Sequence, residues 1–153
     1  MMGLLEDAIR GNYLTNGLSE EEISLLAANG EEVSFPAGDV IVRQFDREAD
    51  LYMVLEGKVA INASNGDLVA RIKAGGVFGE IALLDDRPRS ATVMAETDVK
   101  LVKFSAENIR ALLDNHCHIS NVILRNIGRV LCERLRSANL QIEALLLATG
   151  VDI

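Results

Sequence analysis

The chain has 153 residues, a formal net charge of −8, and a composition that is 49% hydrophobic, 25% charged and only 4% aromatic. That length suits one domain with an aliphatic core. The acidic balance argues against direct nucleic-acid binding, which draws most of its affinity from phosphate neutralisation by a basic surface. Cys117 and Cys132 are the two cysteines. They lack metal-ligand spacing and are too few for a disulfide framework, which points to the reducing cytoplasm. The first residues lack the layout of a signal peptide, and there is no apolar run of about 18 residues to span a membrane.

In chain order, residues 1–30 read as an N-terminal helical segment. Ser19 and Glu22 have capping-box spacing, Ile23, Leu25 and Leu26 follow at helical intervals, and Asn29-Gly30 supplies a stop in which glycine would take positive φ. Residues 31–104 read as β. Apolar runs at Val33–Phe35, Val40–Val42, Leu51–Leu55, Val59–Ile61, Leu68–Ile72, Thr92–Ala95 and Val99–Phe104 are separated by turn signals such as Asn65-Gly66. Seven or eight short strands at this spacing predict a sandwich or barrel. Residues 105–153 read as C-terminal helices. Ser105 caps the first, and a long helix follows from about Ile119 to Ala148, with Gly128 as its weak point. Its stripe of Leu124, Ile127, Leu131, Leu135, Ala138, Ile142 and Leu145 alternates steps of three and four. Such a stripe packs on its own domain or zips against a twin helix.

The connection Gly75–Val93 is not an ordinary hairpin. Gly79 precedes one turn of good helix former, Glu80–Leu84, and a short helix behind a glycine offers backbone N–H groups to an anion. Arg89 brings a planar fork suited to phosphate oxygens, Ser90 a hydroxyl donor, and Glu80 an acceptor for a sugar hydroxyl. Taken singly, each has an ordinary structural reading: a solvated arginine, a carboxylate at a helix start, a turn glycine.

Together, Phe78-Gly79-Glu80-Ile81-Ala82-Leu83-Leu84 and Arg89-Ser90-Ala91-Thr92-Val93 resemble the phosphate-binding cassette of cyclic-nucleotide-binding domains. That family includes the bacterial catabolite activator protein, regulatory subunits of cyclic-AMP-dependent protein kinase and cyclic-nucleotide-gated channels. Phe35–Ile41 and Leu51–Val59 resemble its early strands, and the likeness runs over roughly residues 18–138. It implies a mainly β fold with flanking α: an eight-stranded β-roll, or jelly-roll, with an N-terminal helix and C-terminal helices, the last long. It implies a cytoplasmic sensor, not an enzyme, with a cyclic nucleotide as ligand and no metal or other cofactor. Arg89 and Ser90 would hold the phosphate, Glu80 the ribose 2′-hydroxyl, and backbone amides around Gly79, Ile81 and Ala82 would complete the cradle, with the side chains of Ile81 and Leu83 in the core. Ser90 favours cyclic AMP, with cyclic GMP the alternative. Arg136, Ser137 and Asn139 on the last helix are candidates for capping the base, and that helix for a homodimer seam. Where the family often has a Gly-Asp turn, this chain has Gln44-Phe45-Asp46, and Phe45 is expected to pack inward.

In the catabolite activator group a DNA-binding domain follows. Here the chain ends at Ile153, so the expectation is a stand-alone sensor or a fragment whose effector protein lies elsewhere, without membrane or direct nucleic-acid contact. Three other readings stand beside this one. A degenerate fold would serve only as a docking or dimerisation module, against which intact Glu80 and Arg89 argue. A haem sensor would use His116-Cys117-His118, although neighbouring residues rarely ligate one metal together. Catalysis would need a nucleophile-base-orienter set, and none is apparent.

Overall fold

The computed structural model describes residues 2–85 and 87–150. Met1, Val151–Ile153, and Asp86 within the Phe78–Val93 stretch lie outside it, and of Met2 and Ala82 only the main chain is described.

The N-terminal segment holds two helices, α1 (Met2–Arg10) and α2 (Glu20–Ala28), joined by a 3-10 turn at Tyr13–Thr15. The capping box of α2 is present: Ser19 Oγ accepts from Glu22 N, and Glu22 Oε1 accepts from Ser19 N. Gly30 differs from expectation. It is not among the glycines with positive φ. What its position requires is space, because a Cβ there would meet Val102 Cγ1 at 2.8 Å and the Phe104 ring at 3.0 Å.

Eight antiparallel strands follow: β1 (Glu31–Phe35), β2 (Val40–Val42), β3 (Leu51–Glu56), β4 (Lys58–Asn62), β5 (Leu68–Lys73), β6 (Val77–Phe78), β7 (Thr92–Ala95) and β8 (Val99–Phe104). They form two four-stranded sheets, ordered β1-β8-β3-β6 and β2-β7-β4-β5. This is the expected β-roll. Its Asn65-Gly66 hairpin joins β4 to β5, with Gly66 at φ 86° and Asn65 Oδ1 accepting from Asp67 N.

The inward faces of the sheets enclose one core cluster, including Val42, Tyr52, Val54, Val59, Phe78 and Leu101. A second cluster joins the other face of the β3/β8 sheet to the helices through Met53, Val102 and Phe104, with Ile9, Leu14, Ile23 and Leu26 from the N-terminal segment. Ile109, Ile119, Ile123 and Ile127 complete it from α3 (Ala106–Asn115) and α4 (Cys117–Ala148). Asn126 on α4 donates to the main-chain oxygens of Leu14 and Asn16 at 2.9 and 3.0 Å, fastening the 3-10 turn to that helix.

α4 is 32 residues long, or about 48 Å, and runs unbroken through Gly128. Its stripe divides. Ile127 is buried and Leu124 and Leu131 half-buried, whereas Leu135, Ala138, Ile142 and Leu145 are exposed. The helix packs on its own domain first and then leaves it.

Candidate functional site

The Gly75–Val93 connection closes one end of the roll. Val77 and Phe78 pair as β6 with Met53 and Tyr52 on β3, and the Phe78 ring stacks on Tyr52 at 4.9 Å. The chain then turns through Gly79 at φ 86° into a 3-10 turn, Glu80–Leu83, that has no side-chain N-cap. Glycine is required at this corner twice over. The left-handed conformation disfavours any Cβ, and a Cβ would sit 2.5 Å from the Asp50 main-chain oxygen and 2.8 Å from Arg89 Nη1.

A cavity of about 450 Å³ opens beside this turn, within the size range of small-molecule sites. Its walls are apolar on the sheet side (Val42, Ile61, Ile72, Val77, Phe78, Val93) and polar on the connection side (Gly79, Glu80, Asp85, Arg87, Arg89, Ser90). Arg134 enters from α4. Of the residues singled out from sequence, Gly79, Glu80, Ile81, Arg89 and Ser90 all line this cavity. Ile81 departs from its expected place in the core: it is 49% exposed, since a single 3-10 turn cannot direct both Ile81 and Leu83 inward. Leu83 packs against the helical core cluster.

Two polar groups set the chemistry of the cavity. Arg89 Nη2 donates to the Asp50 main-chain oxygen at 2.6 Å, while Arg89 Nε is buried with no hydrogen-bond partner. Among the described residues no carboxylate pairs with Arg89. A buried guanidinium N–H without an acceptor is costly, and an anion relieves it. Glu80 is 4% exposed, and its Oε1 receives Arg134 Nη1 at 2.9 Å, as a buried carboxylate requires. Near this pair lies Tyr13, whose hydroxyl is buried without a partner; burial, reinforced by the Glu80 charge, pushes its pKa up.

Behind Arg89, Asp50 is buried at the head of β3. Its Oδ1 accepts from Ala106 N at 2.8 Å, and its Oδ2 pairs with Lys103 Nζ at 3.3 Å. Burial acts to raise the Asp50 pKa, but the bonds to Glu48, Ala106 and Lys103 outweigh it and hold the carboxyl below its ordinary value. Glu48 is pushed up by the adjoining Asp50 and by burial.

Arg136, Ser137 and Asn139, expected to cap a base, are exposed and do not line the cavity. At 100° per residue, Arg136 and Asn139 point well away from the direction of Arg134, and the helix has already left the roll at this point. The residue of α4 that lines the cavity is Arg134. Sequence held a signal for it: Arg134 lies three residues after Leu131 and four before Ala138, on the flank of the apolar stripe. Arg87, exposed beside Asp85, was also missed. Phe45 does not pack inward. It is 73% exposed at φ 72°, in a loop tied to the cassette by Phe45 N to Arg89 O and Arg89 N to Asp46 O, both 2.8 Å. His118, from the His116-Cys117-His118 run, bonds Glu22 on α2 at 2.7 Å. Among the described residues, no group of three or more His, Cys, Asp or Glu side chains is placed to hold a metal ion.

The chain is 38% identical to a cAMP-dependent protein kinase regulatory subunit of Dictyostelium discoideum, over 71% of its own length and 35% of that protein's. It is 30% identical to the cyclic AMP receptor protein of Thermus thermophilus, over 90% of its own length and 63% of that protein's. It thus spans less than two thirds of either relative. Among solved structures, the N-terminal domain of a transcriptional regulator from Streptomyces coelicolor superposes with a TM-score of 0.71 at 31% identity, covering 86% of this chain and 94% of that one. The family model of the cyclic nucleotide-binding domain matches residues 32–116, which carry β1 from its second residue, strands β2 to β8, and the cavity's Gly79, Glu80, Arg89 and Ser90. By fold, cassette and sequence alike, this chain belongs to the cyclic nucleotide-binding domain family.

Proposed function

We propose that the chain is a regulatory sensor of cyclic AMP, and that binding is coupled to its C-terminal helices. Arg89 and Ser90 take the phosphate, main-chain amides near Gly79, Ile81 and Ala82 complete the cradle, and Glu80 takes the ribose hydroxyl. In functional terms residues 31–104 are the receptor and 105–153 the output. The observation that carries this reading is the Arg89 guanidinium, bound only to a main-chain oxygen and left with a buried unsatisfied Nε beside the cavity. The apolar wall opposite suits a planar base. The two curated relatives are by name a cAMP-dependent kinase regulatory subunit and a cyclic AMP receptor, which with Ser90 favours cyclic AMP over cyclic GMP. Arg134 couples the site to α4, because a ribose hydroxyl arriving at Glu80 must share the carboxylate with Arg134 or displace it.

Isothermal calorimetry with both nucleotides tests the proposal. Cyclic AMP should bind more tightly than cyclic GMP, and Arg89→Ala should weaken binding by about 2–5 kcal/mol, the loss for truncating one side of a desolvated charge pair. An Arg89→Ala protein with unchanged affinity would overturn the site.

The exposed half of α4 supplies the second part of the proposal, a homodimer. Leu135, Ala138, Ile142 and Leu145 continue the three-and-four spacing beyond the point where the domain can cover them. A second copy of the helix is the partner with matching spacing.

A further inference from the structure

α4 has three sides. Ile119, Ile123 and Ile127 turn one of them into the helical core, and Leu135, Ala138, Ile142 and Leu145 form the exposed seam on another. At about 100° per residue, the third side lies roughly 150° from the seam and about 130° from the buried isoleucines. It carries Arg125, Arg129 and Arg136, spread over about 16 Å of helix, and then Leu140 and Leu147. All five side chains are exposed, the two leucines by 67% each. Among the described residues none of these three guanidinium groups forms an ion pair or a hydrogen bond. They line a groove with Gly128, Cys132 and Glu133. A Cβ at Gly128 would meet nothing within 4 Å, so the helix backbone is open to close approach there. The helix holds four arginines and two glutamates, in a chain whose net charge is −8.

We infer that this third side of α4 is the docking surface for an acidic amphipathic helix of a separate effector protein. The inference deepens the sensor reading by giving the chemistry of its partner, and its residues lie outside the cavity, so the two can fail separately. Each guanidinium offers a planar fork that matches a carboxylate. The steps of four and seven between the arginines match glutamates on one face of a helix laid along α4, and Leu140 and Leu147, seven apart, take apolar side chains further along it. The leucines give a phosphate backbone nothing. A nucleic acid or an anionic membrane would also extend past the arginines onto Glu133, beside the groove, and onto exposed Glu143, between the two leucines. Both carboxylates repel it, whereas a partner helix meets each with a single basic side chain.

Fluorescence anisotropy of labelled helical peptides, titrated with the full chain, tests the assignment. One peptide carries glutamates matched to Arg125, Arg129 and Arg136 and leucines matched to Leu140 and Leu147; a second has the reverse chain order, for antiparallel docking. In the controls glutamine replaces every glutamate. One glutamate peptide should bind at least about tenfold more tightly than its control at low salt, and the preference should fade as salt screens the charges. Arg125→Gln with Arg129→Gln and Arg136→Gln should abolish the preference, and Leu140→Gln with Leu147→Gln should weaken peptide and control alike. Calorimetry with cyclic AMP should be unchanged in both variants. A preference that survives the arginine changes, or no preference in either chain order, overturns the docking surface. Duplex DNA or phosphatidylglycerol vesicles bound more tightly than the peptides, and lost in the arginine variant, overturn the protein partner. A sedimentation mass above two chains that the arginine changes reduce gives the face to further copies of this chain and overturns the effector. No heat of binding from the unaltered chain with cyclic AMP overturns the sensor reading instead.

Discussion

Phe45 holds a backbone conformation that a bulky side chain resists, at φ 72° with its ring largely in water. Its amide and the Asp46 carbonyl are both bonded to the Arg89 main chain, so the loop keeps this shape for the sake of the cassette. A non-glycine residue in the left-handed region costs about 1–2 kcal/mol, and glycine relieves that at the expense of about 0.5–1 kcal/mol of chain entropy. Phe45→Gly should therefore leave the chain more stable by about 0.5–1 kcal/mol in urea unfolding. A loss of stability would mean that the exposed ring contributes packing. Gly79 is the opposite case. Gly79→Ala should cost about 1–3 kcal/mol and weaken cyclic-nucleotide binding in calorimetry, because the new Cβ would displace either Asp50 or Arg89.

Among the elements, α2 is tied to α4 by one carboxylate. Glu22 accepts from Ser19 N and from His118 Nδ1; a carboxylate only accepts, so Nδ1 carries the proton. These bonds, the Ser19 N–H first, lower the Glu22 pKa from its ordinary value of 4.5. A depressed folded-state pKa adds stability above pH 4.5 that is lost as pH falls through the lower folded value. Thermal unfolding between pH 6 and 3 should show this loss, and Glu22→Gln should flatten its acid limb. The capping box behind it was legible because Ser19 and Glu22 are three residues apart and every bond is local. The same holds for the Asn65-Gly66 hairpin, whereas β7 and β8 were legible from their apolar runs although their ladder partners lie far away in sequence. The two-residue β6 was not legible, since Val77 and Phe78 become a strand only by pairing with Met53 and Tyr52. Nor was α1 marked out on its own, lacking a capping signal. At the site, the cassette residues could be read from their order along the chain. Arg134 was marked only by its place beside the apolar stripe, and its pairing with Glu80 emerges only once α4 is set against the roll.

At the level of the whole molecule, the exposed stripe on α4 makes the oligomeric state a sharp test. Analytical ultracentrifugation should give twice the chain mass. Leu135→Glu with Ile142→Glu should give a single-chain mass at unchanged thermal stability of the roll, as both side chains lie more than half exposed outside the core. A dimer that survives both changes would remove the seam from consideration.

The same helix is fastened at its near end by Asn126, whose amide spans the oxygens of Leu14 and Asn16 while Leu14, Ile123 and Ile127 share one core cluster. In the proposed coupling, any displacement of α4 would pull on the 3-10 turn through this tether, and on α1 and α2, which pack in the same cluster. The far terminus becomes a reporter for the near one. A donor dye near Gly3 and an acceptor at Gly66, on the tip of the β4–β5 hairpin, should change their energy transfer when cyclic AMP is added, although neither position lines the cavity. Asn126→Leu, which cuts the tether but keeps the apolar contact, should reduce that response.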